Sequence, residues 1–158
     1  MGNDILTGFR GSDLLYGESG DDTIRAGNGR DLISGGMGSD TLYGGFGRNT
    51  FKSENDDDVD SLFLKSDQWA YYWLYGKSGN SPNSEKADII EGLDLFDFIF
   101  IQGVASSDLS FISTTHIFAD GQSVDGIGIF ARGVLEAIYT GGDLNAQQLQ
   151  SMTSGVAA

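Results

Sequence analysis

The chain has 158 residues, 39% of them hydrophobic, with 23 acidic against 9 basic side chains and a formal charge of -14. That length suits one soluble unit, or a short repeat array with a companion subdomain, better than two large domains. The charge disfavours a nucleic-acid backbone or an anionic membrane as partner and favours a cation, and the absence of cysteine excludes disulfides and thiolate chemistry.

The first 52 residues are organised by a repeat. Asp4, Asp13, Asp22, Asp31 and Asp40 are nine apart, Asn49 continues the series, and two residues after each stands a large apolar side chain: Leu6, Leu15, Ile24, Ile33, Leu42 and Phe51. The clearest copies are AGNGRDLIS at 26–34, GGMGSDTLY at 35–43 and GGFGRNTFK at 44–52. GFRGSDLLY at 8–16 and GESGDDTIR at 17–25 lack the second glycine, and GNDILT at 2–7 is the back end of a further copy.

Six glycine-rich residues of each unit make a turn and the remaining three a short strand, because glycine reaches backbone regions closed to other residues. Two units then make one flattened helical turn, strands stack at about 4.8 Å, and every second unit lies above its predecessor. Leu6, Ile24 and Leu42 form one inward column facing Leu15, Ile33 and Phe51. No repeat buries anything alone, so stacking supplies the core.

Stacking also accounts for the aspartates. Turns about 4.8 Å apart leave room for an ion with oxygen ligands at about 2.3–2.6 Å, the range for calcium. The expected layer pairs are Asp4 with Asp22, Asp22 with Asp40, Asp13 with Asp31, and more weakly Asp31 with Asn49. Carbonyls at the glycine turns supply further oxygens, from Gly8 and Gly11, Gly17 and Gly20, Gly27 and Gly29, Gly36 and Gly38, and Gly45 and Gly47. Roughly three or four calcium ions follow. Magnesium wants a tighter octahedron, and zinc lacks its cysteine or histidine ligands. Asx-turns would be a sufficient account of one GGxGxD; five aspartates in register with six apolar residues favour an ion.

These units resemble the RTX, or haemolysin-type, calcium-binding nonapeptide GGxGxDxUx over residues 2–52. The resemblance implies a parallel β-roll that folds on meeting external calcium. It also implies export by a one-step (type I) secretion machinery reading a C-terminal signal, hence an extracellular or cell-surface location. Asn49 departs from the aspartate position, which weakens the last calcium site.

Beyond Phe51 the pattern changes. Residues 1–52 hold seven acids and five bases, a net of -2, whereas residues 53–158 hold sixteen acids and four bases, a net of -12. Glu54, Asp56, Asp57, Asp58 and Asp60 either cap the last turn and ligate a cation or form a solvated loop. Trp69, Tyr71, Trp73 and Tyr75 alternate as on a strand; the strip either closes the end of the roll or binds a glycan or protein. GKSGNSPNSEK, with Pro82, reads as a loop.

Asp88, Glu91, Asp94 and Asp97 punctuate a segment whose run from Phe96 to Ile101 reads as a strand buried on both faces or nearly so. Its carboxylates either coordinate calcium or hold turns by accepting from backbone amides. Further strands are expected at 111–113, 116–118, 128–130 and 134–139. Asp143 is expected to cap a short helix burying Leu144, Leu149 and Met152, and the terminal SGVAA to fray. DIIEGLDLFDFIFIQG, IGIFARGV and GGDLNAQQL are similar to the domain that follows RTX repeats in serralysin-type secreted proteases, across residues 86–150.

The fold expected is therefore all-β: a right-handed parallel β-roll over residues 1–52, then a β-rich C-terminal cap and secretion-signal region over 53–158 with a short terminal helix. No apolar run reaches the eighteen or so residues of a membrane span, and Met1-Gly2-Asn3-Asp4 is no basic-then-apolar export signal. His116 is the sole histidine and reads as structural; HExxH and GxSxG are absent, so the chain is not expected to be an enzyme. The function expected is a calcium-responsive folding and secretion module of a larger protein. The rival is a calcium-scaffolded adhesin or carbohydrate-binding module using the strip at 68–75.

Overall fold

The computed structural model describes residues 2–53, 56–66 and 86–157. The nine-residue period places successive strands alternately in two sheets. β1 (Ile5–Thr7), β4 (Thr23–Gly29) and β6 (Thr41–Phe46) stack in parallel in one, with the two-residue β2 (Arg10–Gly11) beside β4; β3 (Leu14–Ser19), β5 (Leu32–Met37) and β7 (Thr50–Lys52) stack in the other. Registers fall 18 residues apart, as in Ile24 against Leu42 and Ile33 against Phe51.

The alternation continues past the glycine repeats. β8 (Ser61–Lys65) lies on β6, β9 (Asp88–Glu91) on β7, and β10 (Phe98–Gln102) on β8, all parallel. Leu62, Ile99 and Ile90 thereby extend the two apolar columns. Leu6 and Leu15 are partly buried, while Ile24, Ile33, Leu42, Phe51, Leu62, Ile90 and Ile99 are fully buried in one cluster. Each buried aliphatic side chain contributes about 1.5–3 kcal/mol, and none would be covered without its neighbours above and below.

The remaining strands finish the two sheets differently. β11 (Leu109–Ile117), β12 (Ser123–Ala131) and β13 (Val134–Tyr139) form an antiparallel meander, and β13 joins β9 in parallel. The other sheet ends in β14 (Thr153–Val156), parallel to β10. Among the described residues no helix is long and apolar enough to cross a membrane.

Four local expectations change. β10 is amphipathic, with Ile99 and Ile101 buried but Phe98 exposed, because one face of the sheet is the outside of the roll. Residues 111–113 and 116–118 fall largely within a single strand, β11, since Thr114 and Thr115 pair with Gly126 and Asp125 instead of turning. The helix α1 (Ala146–Met152) is capped by Asn145, not Asp143, in a reciprocal capping box with Gln148; Leu149 and Met152 are buried on it, and Leu144 is buried just before it. Thr153–Val156 is tied down as β14 rather than frayed. Trp69 to Tyr75, Pro82 and Glu54 lie outside the described residues.

On the outer face of the first sheet, Tyr43, Phe63 and Phe100 stack with ring centroids 4.6 and 4.7 Å apart, and the Arg25 guanidinium sits 4.9 Å from the Tyr43 centroid. The ladder's ring faces are turned to one another. It reinforces the vertical register from outside.

Candidate calcium-binding edges

Each crossing between sheets is a turn, so the turns form two columns along the edges of the roll. Glycine is required there by close approach as well as by backbone angle. Gly47 has φ +112, and a Cβ on it would collide with the Gly29 carbonyl oxygen one layer below; Gly45 has φ +83 and stands likewise over the Gly27 carbonyl. Carbonyl oxygens are thus lined up between layers. Phe9 and Glu18, which replace the second glycine, adopt the same left-handed conformation, at φ 73 and 74.

The sixth residue of every turn faces the layer beneath. On the first edge Asp22 Oδ1 accepts the Asp4 N–H at 2.6 Å and Asp40 Oδ1 accepts the Asp22 N–H at 2.7 Å. On the second, Asp31 Oδ1 accepts from Asp13 at 2.9 Å and Asn49 Oδ1 from Asp31 at 3.3 Å. Asp4 is exposed, Asp13 half-buried, and Asp22, Asp31, Asp40 and Asn49 are buried.

Three further carboxylates extend these ladders. Asp60 Oδ1 accepts the Asp40 N–H at 2.9 Å, Asp97 Oδ1 accepts that of Asp60 at 2.9 Å, and Asp88 Oδ1 accepts that of Asn49 at 2.7 Å. The nine-residue period hides them, since the steps are 20, 37 and 39 residues. The local pattern was visible: Asp60-Ser61-Leu62, Asp88-Ile89-Ile90 and Asp97-Phe98-Ile99 each place an aspartate two before an inward apolar residue, as Asp22-Thr23-Ile24 does.

Oδ1 of Asp22, Asp31, Asp40, Asp60, Asp88 and Asp97 is therefore used, and the fate of Oδ2 separates repeats from cap. Oδ2 of Asp13, Asp22, Asp31 and Asp40, with Nδ2 of Asn49, are buried without a hydrogen-bond partner. Those of Asp13, Asp22 and Asp40 face the first residue of their own turns, where a Cβ added at Gly8, Gly17 or Gly35 would strike them. In the cap, Ser53 stands at the equivalent first position, and its hydroxyl donates to Asp60 Oδ2 at 2.5 Å, with Asp97 Oδ2 at 3.2 Å. Asp97 Oδ2 also accepts from the Asp94 N–H at 2.9 Å.

Burial of stacked carboxylates without a counter-charge disfavours ionisation. Burial raises Asp40 to about 7, and the nearby Asp60, Asp22 and Asp56 push the same way. Burial likewise raises Asp97 to about 6, and lifts Asp31 and Asp60 above the ordinary carboxylate range. Unpartnered, hard carboxylate oxygens beside rows of carbonyls fit a calcium ion. Among the described residues no three Asp, Glu or His side chains form a metal-holding group, so backbone carbonyls would complete any coordination shell.

On the second edge, Arg30 and Arg48 precede Asp31 and Asn49, and both pair with Asp120 at the tip between β11 and β12. Arg48 is buried, its guanidinium 4.1 Å from the Phe118 ring centroid. Hydrogen bonding from Arg48 holds the Asp120 carboxyl below its usual range.

A parallel roll whose turns carry ladders of buried carboxylates is a cation-binding repeat scaffold. Residues 2–24 and 16–51 match the RTX calcium-binding nonapeptide repeat, in four copies, and this part of the chain is made of RTX repeats. The family is a calcium-binding structural repeat and not an enzyme class. The match stops at Phe51 and does not extend to the region resembling the serralysin-type C-terminal domain. No curated protein matches the chain.

Proposed function

We propose that this chain is a calcium-responsive folding module that serves the secretion of a larger protein. The observation that carries it is the row of buried, unpartnered carboxylate oxygens at Asp13, Asp22, Asp31 and Asp40, in repeats matching a calcium-binding family. Asp4, Asp13, Asp22, Asp31 and Asp40, with glycine-turn carbonyls, hold the ions, and calcium when bound supplies the positive charge that joins layers. Without it the carboxylates repel one another or take up protons, and the glycine-rich turns cost conformational entropy that nothing offsets. An exported chain stays extended at low calcium and folds outside the cell, where binding and folding are coupled.

In this reading residues 1–52 are the calcium-responsive part and residues 53–158 the cap, which carries the signal for type I secretion. The secretion half rests on the likeness of residues 86–150 to serralysin-type C-terminal domains. Titration calorimetry and circular dichroism, with calcium and with EGTA, test the folding half: calcium should release or absorb heat and raise strand content. An unchanged spectrum with no heat would sink it.

A further inference from the structure

The two edges of the roll are chemically unequal. At the fifth turn position the first edge carries Asn3, Asp21 and Ser39, whereas the second carries Ser12, Arg30 and Arg48. The second edge also has the amide Asn49 where the first has only carboxylates. These two departures meet at one step, between the Asp31 and Asn49 layers.

The orientation of Asn49 is set by its bond to the layer below. Its Oδ1 accepts the Asp31 N–H, so the position that Oδ2 occupies at Asp22 and Asp40 is taken by Nδ2. That group is buried and unpartnered. It is a donor, and a donor cannot ligate a cation. The adjacent residue, Arg48, adds a buried guanidinium held over Phe118.

We infer that this step is closed without a calcium ion, by a clamp of inverted charge: the Asp120 carboxylate lies between Arg30 and Arg48, one from each of two successive layers. Elsewhere a cation would join two carboxylates; here a carboxylate joins two cationic side chains. The joining group is part of the chain, delivered by the tip between β11 and β12, so this tie needs nothing from solution. The inference deepens the calcium reading and rests on it, assigning the calcium-dependent steps to the Asp4–Asp22–Asp40 ladder and the Asp13–Asp31 pair.

The test is the number of ions bound per chain, by equilibrium dialysis against calcium. Arg48→Ser with Asn49→Asp recreates the Ser-Asp pair found at Ser12-Asp13 and Ser39-Asp40, and should bind one ion more than wild type; an unchanged or lower count overturns the clamp. Asp120→Asn leaves every repeat intact. It should keep the wild-type count but lower the melting temperature in saturating calcium by roughly 2–4 °C, a difference that fades at high salt because the clamp is ionic. A reduced count, or no shift at low salt, contradicts the inference. A wild-type chain that binds no calcium removes the calcium reading itself, and the inference with it, a result distinct from equal counts in two binding chains.

Discussion

The Ser53 hydroxyl donates to Asp60 Oδ2 at 2.5 Å and so fills a place that is empty of protein donors beside Asp22 and Asp40. Ser53 and Gly35 are equivalent turn residues, yet only Ser53 brings a hydroxyl. Ser53→Ala should leave the Asp60 oxygen unpaired, costing about 1–3 kcal/mol. Urea unfolding in EGTA and in calcium measures it, and a variant as stable as wild type in both would show that the hydroxyl is dispensable.

Asp22→Asn tests the carboxylates. An asparagine can keep the Oδ1 bond to the Asp4 N–H while placing an amide nitrogen where the unpartnered oxygen was. The calcium concentration at the midpoint of folding should rise by about tenfold or more. Circular dichroism along a calcium titration reads this directly, and an unmoved midpoint would remove Asp22 from the ligand set.

The ladders also set a pH dependence for the calcium-free chain. Asp40 and Asp97 are raised to about 7 and about 6 from 3.8, so the folded state holds more protons than the unfolded one across that interval. The resulting stability is complete below the unfolded value and is lost as pH rises through the folded ones. Thermal melts of calcium-stripped protein between about pH 5 and 8 should show a falling midpoint. Calcium affinity should move the opposite way, since the ion competes with those protons.

Glu18→Gly should stabilise the roll. Glu18 sits at φ 74, where glycine stands in the three later repeats, and a side chain in the left-handed region costs about 1–2 kcal/mol. Phe9→Gly should act similarly, from φ 73. A raised melting temperature in calcium for each is the expected outcome; a drop would mean that the side chain makes a compensating contact.

Legibility in the sequence followed the range of the interactions. Asp4 to Asn49 and Leu6 to Phe51 repeat because each layer needs the same turn and the same inward residue, and both columns fall where the period puts them. Asp60, Asp88 and Asp97 obey the same vertical rule, but longer connections between layers erase their spacing. Asp120 carried no local signal at all: its partners lie 72 and 90 residues away and only the meander brings them together. Asn145 was hidden by a competing cap two residues earlier, and Thr153–Val156 by small side chains that resemble a free end. That last segment is held as a strand by backbone pairing with β10, which composition does not report.

The steps of 20, 37 and 39 residues have a practical side. What the stack measures is the aspartate-x-apolar triplet entering each strand, not the number of residues that separate one triplet from the next. Foreign peptide spliced into an edge turn should therefore leave the strands above and below in alignment, whereas a single residue inserted between Asp40 and Leu42 would throw one whole tier out of phase. The roll can be treated as a rack with fixed shelves and adjustable brackets, open to grafting at its sides.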